Sequence, residues 1–431
     1  MSPVALSAIV MLILLFLNAP VFVSVLGGCI AYFLANPDAG ITGVLAVQRV
    51  ISGMESTTML AIPFFVAAGA LMNYCGITDR MMKFCKVLTG HLYGGLGQVN
   101  IVLSTLMGGM SGSSLADAAM EARLLVPDMV KTGYPLGYAS AITAASSMIT
   151  PLIPPGIAAI IYGSITGTSI GKLFVAGIVP AAILCAAMMT IVSKYSKKKG
   201  IPRLSKEKVD KKELWEAFRP AILPLLLPVI IIGSIRLGIC TPTEAGAAAI
   251  FYALFLGILY REIHLKDLLA CIKETCVTTA SIMLIVGAAT CFSWILTWEN
   301  VPQNMTSTLI NLCHNKYVFL LAVNIFLLFV GMFIEATAAQ IVLAPMLVPV
   351  AVAFGIDPVH FGMIFIFNMA IGSLTPPMGN LMFVTCGVTR CSTEEFIKEC
   401  RVFYVLLFAV LLLMAYVPFI STWLPNLIYG V

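Results

Sequence analysis

The run Gly108-Gly109-Met110-Ser111-Gly112-Ser113-Ser114-Leu115-Ala116-Asp117 places serine hydroxyls and one carboxylate inside an otherwise apolar region. Glycine and serine at this density make a poor helix. An opened turn leaves carbonyl oxygens free, and the hydroxyls add more. Such oxygens suit a hard monovalent cation, as the half-helix ends of transporter sites do. A second run, Thr150-Pro151-Leu152-Ile153-Pro154-Pro155-Gly156, carries three prolines in five residues and cannot be one continuous helix. It should expose carbonyls beside the Thr150 hydroxyl. The second half of the chain offers Gly331-Met332-Phe333-Ile334-Glu335-Ala336-Thr337-Ala338-Ala339-Gln340 and Thr375-Pro376-Pro377-Met378-Gly379-Asn380.

Each run also has a plainer reading. The glycines can form a small-residue face for helix packing, and the prolines can merely kink a helix. An Asp at the centre of a spanning helix costs about 2.5–3.5 kcal/mol on insertion scales, so it must be paired, solvated or functional. Asp117 can therefore contribute to an ion site or pair with Arg123 and orient the loop. Glu335 can be a ligand or can cap or pair a helix.

The elements that hold these runs must lie in lipid. The chain has 431 residues, of which 60% are hydrophobic and only 10% charged, and its mean hydropathy is +1.01. About a quarter of the residues of a soluble domain are charged, so this chain cannot cover a water-facing surface. Val4–Leu17, Leu173–Val192, Ala221–Ile235, Ala245–Leu259, Tyr317–Phe333 and Val402–Val417 are nearly free of charge. At about 20 apolar residues per crossing, the length accommodates about ten to twelve spans: an all-α polytopic membrane protein. The N-terminus lacks a basic n-region and a small-residue cleavage site, so Val4–Leu17 reads as a retained first helix.

The main polar stretch, residues 193–219, holds Lys194, Lys197, Lys198, Lys199, Arg203, Lys206, Lys208, Lys211 and Lys212. Short loops rich in Lys and Arg stay cytoplasmic, which places this linker in the cytoplasm as a topogenic segment rather than a nucleic-acid patch. The twelve cysteines are scattered and contain no Cys-x-x-Cys pair, so they read as small packing residues with no disulfide framework or zinc site.

Landmarks recur between the halves. Pro20 and Pro242, and Gly109 and Gly331, are each separated by 222 residues; Thr150 and Thr375 are separated by 225. Landmarks kept in order point to an internal repeat, with repeat one at 1–192, the linker at 193–219 and repeat two at 220–431. Duplicated halves with interrupted hydrophobic segments at matching places indicate a secondary transporter. Inversion across the membrane plane would give alternating access by symmetry, but sequence similarity alone does not separate inverted from parallel repeats.

Enzyme readings fare poorly. His91, His264, His314 and His360 are isolated, and no H-E-x-x-H, G-x-S-x-G or phosphate-binding loop occurs. The chain therefore does not hydrolyse ATP itself, and an ion gradient or another subunit must drive uphill transport.

With GGMSGSSLADAAM (108–120), SSMITPLIPPG (146–156), TPTEAGA (241–247), GMFIEATAAQ (331–340) and TPPMG (375–379), the chain resembles the DctM-like large membrane subunit of tripartite ATP-independent periplasmic (TRAP) transporters over essentially its whole length. In that family one more residue often stands between the second Pro-Pro-x-Gly and the following Asn, so Asn380 departs from the pattern. The resemblance implies an elevator-type carrier with two re-entrant hairpins on a mobile transport domain, residing as a multi-pass protein in a bacterial inner membrane. It implies sodium-coupled uptake of a carboxylate-bearing organic anion, with sodium the coupling ion and no other cofactor. A periplasmic substrate-binding protein would deliver the solute, and a separate small membrane subunit would brace the scaffold. Carried over by motif, the sodium residues are Ser111, Ser113, Thr150, Pro151, Gly331, Thr337, Thr375 and Pro376. The substrate residues are Ser113, Asp117, Ser169 and Asn380. The alternatives are a self-sufficient sodium/carboxylate symporter of related architecture and, from a different class, a membrane enzyme or scaffold.

Overall fold

The computed structural model describes the chain except Met1, Asn18, residues 38–42 and 206–208, His314 and Val431, so Lys206, Lys208 and His314 lie outside the described residues. Among the described residues all regular structure is helical. The first half comprises α1 (Pro3–Phe16), α2 (Val21–Ala35), α3 (Gly43–Met54), α4 (Ala61–Tyr74), α5 (Ile77–Thr89), α6 (Gly95–Ser111), α7 (Ser114–Leu124), α8 (Val126–Lys131), α9 (Leu136–Ser146), α10 (Ile157–Thr166), α11 (Ile170–Ala176) and α12 (Ile178–Lys199). The second half comprises α13 (Lys211–Arg236), α14 (Pro242–Tyr260), α15 (Leu265–Trp298), α16 (Val301–Leu312), α17 (Lys316–Phe333), α18 (Ala336–Ala353), α19 (Pro358–Leu374), α20 (Asn380–Thr389), α21 (Thr393–Tyr416) and α22 (Phe419–Tyr429).

By length and composition, seven of these segments can cross a membrane, and up to nine if each of two bent helix pairs is one span. The larger number allowed by chain length differs because several apolar helices are short. α1 and α2 have 14 and 15 residues, about 21–23 Å at 1.5 Å per residue. The linker is also shorter than composition suggests. α12 stays helical to Lys199 and α13 begins at Lys211, while Leu204 and Ser205 donate their N–H groups to the Gly90 carbonyl (3.0 and 3.2 Å).

The 222-residue offset holds for helix starts. It carries the starts of α2, α6, α7 and α9 (21, 95, 114, 136) to 243, 317, 336 and 358, beside the observed 242, 316, 336 and 358. α3 and α4 together map onto the single long helix α15. Local chemistry sets many of these boundaries. Thr241 and Glu244 form a reciprocal capping box at α14, with Pro242 in the first turn. Pro224 has no N–H for the Pro220 carbonyl inside α13, and the Tyr260 hydroxyl donates to it instead (3.2 Å).

Two helices are broken at the proline-rich runs: α9–α10 across Ser147–Gly156 and α19–α20 across Thr375–Gly379. Each break contains one cis Pro-Pro bond, Pro154-Pro155 and Pro376-Pro377. Ser140, near the start of α9, donates to Thr389 at the end of α20 (3.0 Å). At the other end, Tyr162 of α10 donates to the Pro358 carbonyl that begins α19 (3.0 Å). The two broken helices therefore run antiparallel, the relation an inverted pair requires. Tyr134, just before α9, bonds the Gly94 carbonyl and Ser196 of α12, which puts the start of α9 at the basic end of α12.

Candidate functional site

The first hairpin is built from α6 and α7, which meet at Gly112-Ser113. The expected long unwound run is reduced here to two residues, because α6 remains helical through Ser111. Gly112 adopts φ +62°, where a side chain is strained, and a Cβ there would also lie 2.8 Å from the Pro155 carbonyl oxygen. The other glycines serve close approach rather than unwinding. A Cβ on Gly108 would stand 2.8 Å from Thr150 Cα, and one on Gly69 of α4 would stand 2.9 Å from the Ser111 carbonyl oxygen. The hairpin tip is thus seated in the α9–α10 break and roofed by α4.

Ser113 caps α7, its hydroxyl accepting from the Ala116 N–H (3.4 Å), while its own N–H points to the Ser111 hydroxyl (3.4 Å). Asp117 sits in the first turn of α7, where the helix N-terminus favours negative charge. It is 1% exposed and accepts from the Thr150 hydroxyl at 2.7 Å, with Ser111 as a second hydroxyl partner. Of the two readings left open for Asp117, pairing with Arg123 is not observed. Arg123 is exposed, and the ion pairs among the described residues are Arg80–Glu262 and Lys131–Asp128. Pro151 lies in the buried 3-10 turn Thr150–Leu152 that presents Thr150 to the carboxylate.

The second hairpin, α17 and α18, turns at Ile334-Glu335. Gly331 is pressed against α19: a Cβ on Gly372 would stand 2.6 Å from Gly331 Cα. Glu335 accepts from the Thr337 and Ala338 N–H groups (3.0 and 2.9 Å), so its carboxylate caps α18. Thr337 stands in that first turn. The Thr375 hydroxyl donates to the Ile371 carbonyl of its own helix (2.7 Å), with Pro376 following in the break. Asn380 opens α20 and is exposed.

The halves are crossed. The return arm of each hairpin packs on the second segment of the other half's broken helix, α7 on α20 and α18 on α10. Gln340 of α18 donates to the Ala158 carbonyl of α10 (2.7 Å). Ser111, Ser113, Asp117, Thr150 and Pro151 are brought together in one half-site. Gly331, Thr337, Thr375 and Pro376 lie at the corresponding turns of the other. Ser169 stands apart: it caps α11 and lines a cavity of about 270 Å³ with Lys172, Asp357, Thr422 and Asn426.

Sequence reasoning missed one group. Glu121, one turn beyond Asp117, is fully buried and accepts from Ser104 (2.6 Å), which meets Ser146 (2.8 Å), itself bonded to Asn100 (2.9 Å). Its i+4 spacing from Asp117 was the available signal, since a buried membrane acid is a functional candidate by default. In the second half the offset of 222 places Ala339 and Leu343 at the two acid positions, so the half-sites differ in charge. What the arrangement can do is surround a small cation with hydroxyl, carboxylate and carbonyl oxygens at two half-helix ends.

Comparison with known proteins agrees with this architecture. Residues 8–420 match the family model described as "Tripartite ATP-independent periplasmic transporter, DctM component". The chain is 42% identical to the sialic acid TRAP transporter large permease protein SiaM of Vibrio cholerae, with 97% of each chain covered. It is 36% identical to the C4-dicarboxylate TRAP transporter large permease protein DctM of Pseudomonas aeruginosa, with 93% of each covered. In fold it is similar to the YdaH transporter of Alcanivorax borkumensis, with a TM-score of 0.58, 12% identity and 88% of each chain covered. The chain belongs to the DctM family of TRAP-transporter large permeases, and is a transporter subunit rather than an enzyme.

Proposed function

We propose that this chain is the permease through which a small organic anion enters the cell with sodium. Residues 1–192 and 220–431 act as inverted repeats joined by a cytoplasmic linker at 193–219. Sodium is held at the two half-sites: Ser111, Ser113, Thr150 and Pro151 in the first, Gly331, Thr337, Thr375 and Pro376 in the second. The anion lies between the tips near Ser113, Asp117 and Asn380. A periplasmic binding protein delivers it, and a small membrane subunit braces the scaffold in the inner membrane. The hairpins and broken helices move together in an elevator step, because α7–α20 and α18–α10 lock the two halves into one body.

The observation that carries this reading is the oxygen cluster at the first tip, where Asp117 and Thr150 meet at 2.7 Å inside a membrane protein. The relatives named for sialic acid and for C4-dicarboxylate support an anionic cargo. The test is uptake of N-acetylneuraminate and succinate into proteoliposomes holding this chain with its small subunit. Uptake is expected only with a sodium gradient and a cognate binding protein. Uptake indifferent to sodium, or undiminished without the binding protein, would sink the respective half of the proposal.

A further inference from the structure

The groove between α7 and α20 is asymmetric with respect to its counterpart. On α7 one face is buried, with Asp117, Ala118, Glu121 and Ala122, while Ala116, Ala119 and Met120 are half-buried and Arg123 is exposed. On α20, Asn380, Phe383 and Gly387 are exposed at i, i+3 and i+7, a single helix face. The corresponding face of α10 is less open, with Ile157 and Ser164 half-buried. Ile160 is buried, Ser164 donates to the Thr58 carbonyl (3.5 Å), and α10 packs on α4 and on the 3-10 turn Thr57–Leu60. The exposed face of α20 runs from the hairpin tips toward the basic end of α12, since Thr389 lies beside Ser140 near the start of α9.

At its foot is a cavity of about 420 Å³ lined by Ala122, Arg123, Val126, Leu136, Val388 and Thr389, among others. Arg123 is its charged lining residue and, among the described residues, makes no ion pair. The ten helical steps from Ser113 to Arg123 span about 15 Å. The second-half position that the 222 offset assigns to Arg123 is Pro345, so this cation belongs to one mouth alone.

We propose that Arg123 is an anion contact at the cytoplasmic mouth of the α7–α20 groove, meeting the carboxylate of the solute as it leaves the tips. This rests on the reading that the cargo is an organic anion. A guanidinium fork matches a carboxylate in two hydrogen bonds. Its exposure keeps the pair weak, so the residue draws the anion outward from the site without retaining it.

The test separates the local electrostatics from the cargo. Ala119→Cys places a thiol one turn from Arg123, in a chain whose exposed Cys276 is replaced by serine. In inverted membrane vesicles this thiol should react with methanethiosulfonates, and Arg123→Gln should lower the rate ratio of the anionic sulfonatoethyl to the cationic trimethylammonioethyl reagent about 5-fold at low salt. Arg123→Lys should restore most of it. Absence of labelling from that side, or a ratio unchanged by R123Q, overturns the proposal. In proteoliposomes, R123Q should raise the lumenal N-acetylneuraminate concentration that half-inhibits uptake by about 5-fold, with the external half-saturation changed less than about 2-fold. An unchanged lumenal half-inhibition overturns the contact with cargo. If the wild-type chain moves no N-acetylneuraminate or succinate while the reagent ratio behaves as expected, the anionic-cargo reading fails and the electrostatic assignment of Arg123 stands.

Discussion

Replacing Thr150 with valine keeps the shape of the side chain and removes the hydroxyl that donates to Asp117 at 2.7 Å. Asp117 is 1% exposed, so water cannot take over the bond. A hydrogen bond to a charged group contributes about 1.5–3 kcal/mol, and the Ser111 hydroxyl, already Asp117's other partner, does not replace the lost one. At about 1.4 kcal/mol per factor of ten, T150V should raise the sodium concentration for half-maximal uptake by about 10- to 100-fold. Thr150→Ser, which keeps the hydroxyl, should stay within about 3-fold. Thr375→Val is the matching change at the second half-site. Its hydroxyl is committed to the Ile371 carbonyl of its own helix, a type of bond that adds little to helix stability, so T375V should shift the sodium requirement by less than about 5-fold. The assay is sodium-dependent uptake in proteoliposomes, paired with a denaturant titration in micelles to check folding. A T150V requirement within 2-fold of wild type, or a T375V effect as large as that of T150V, would refute the reasoning that the Thr150–Asp117 contact makes the first half-site the more sensitive to loss of a hydroxyl.

Gly372→Ala should destabilise the second hairpin by about 1–3 kcal/mol, the usual range for overpacking. Its Cβ would sit 2.6 Å from Gly331 Cα with only backbone to yield, and thermal unfolding in detergent reads the loss. Gly69→Ala should lower uptake more than it lowers thermal stability, because the added methyl presses the Ser111 carbonyl at 2.9 Å and displaces the hairpin tip. Glu335→Ala removes both cap bonds of α18 and should cost about 0.5–2 kcal/mol by denaturant titration. Lys131→Ala, which breaks an exposed i,i+3 pair with Asp128, should change stability by less than about 0.5 kcal/mol.

Several features are legible in the sequence because they depend on backbone chemistry alone. Three prolines in five residues, or an adjacent Pro-Pro pair, remove too many N–H groups in one turn for a helix to continue, so the breaks at Thr150–Gly156 and Thr375–Gly379 could be placed from residue types, whereas the spaced prolines of α13 leave that helix continuous. Charge density works likewise: a chain with 10% charged residues must face lipid whatever its topology. The first hairpin was read less well. Glycine supplies either a left-handed turn or room for a neighbour, and residue type does not say which. Gly112 is the turn, whereas Gly108 makes room for Thr150 and keeps the helix intact through Ser111.

The composition and spacing of the chain determined that it is a membrane protein with two oxygen-rich, proline-interrupted regions at matching places. Only the tertiary structure decided the partners of the polar groups. Asp117 lies six residues from Arg123 and thirty-three from Thr150, and sequence left both an ion-site role and the arginine open. The fold decides between them by turning α7 so that Asp117 meets Thr150 in the α9–α10 break while Arg123 is exposed. It also set Ser169 at a separate cavity, spent Glu335 on the cap of α18, and crossed α7 onto α20. The reason is common to all of these: a helix fixes which residues share a face, but which neighbour that face meets is set by packing between segments far apart in the chain.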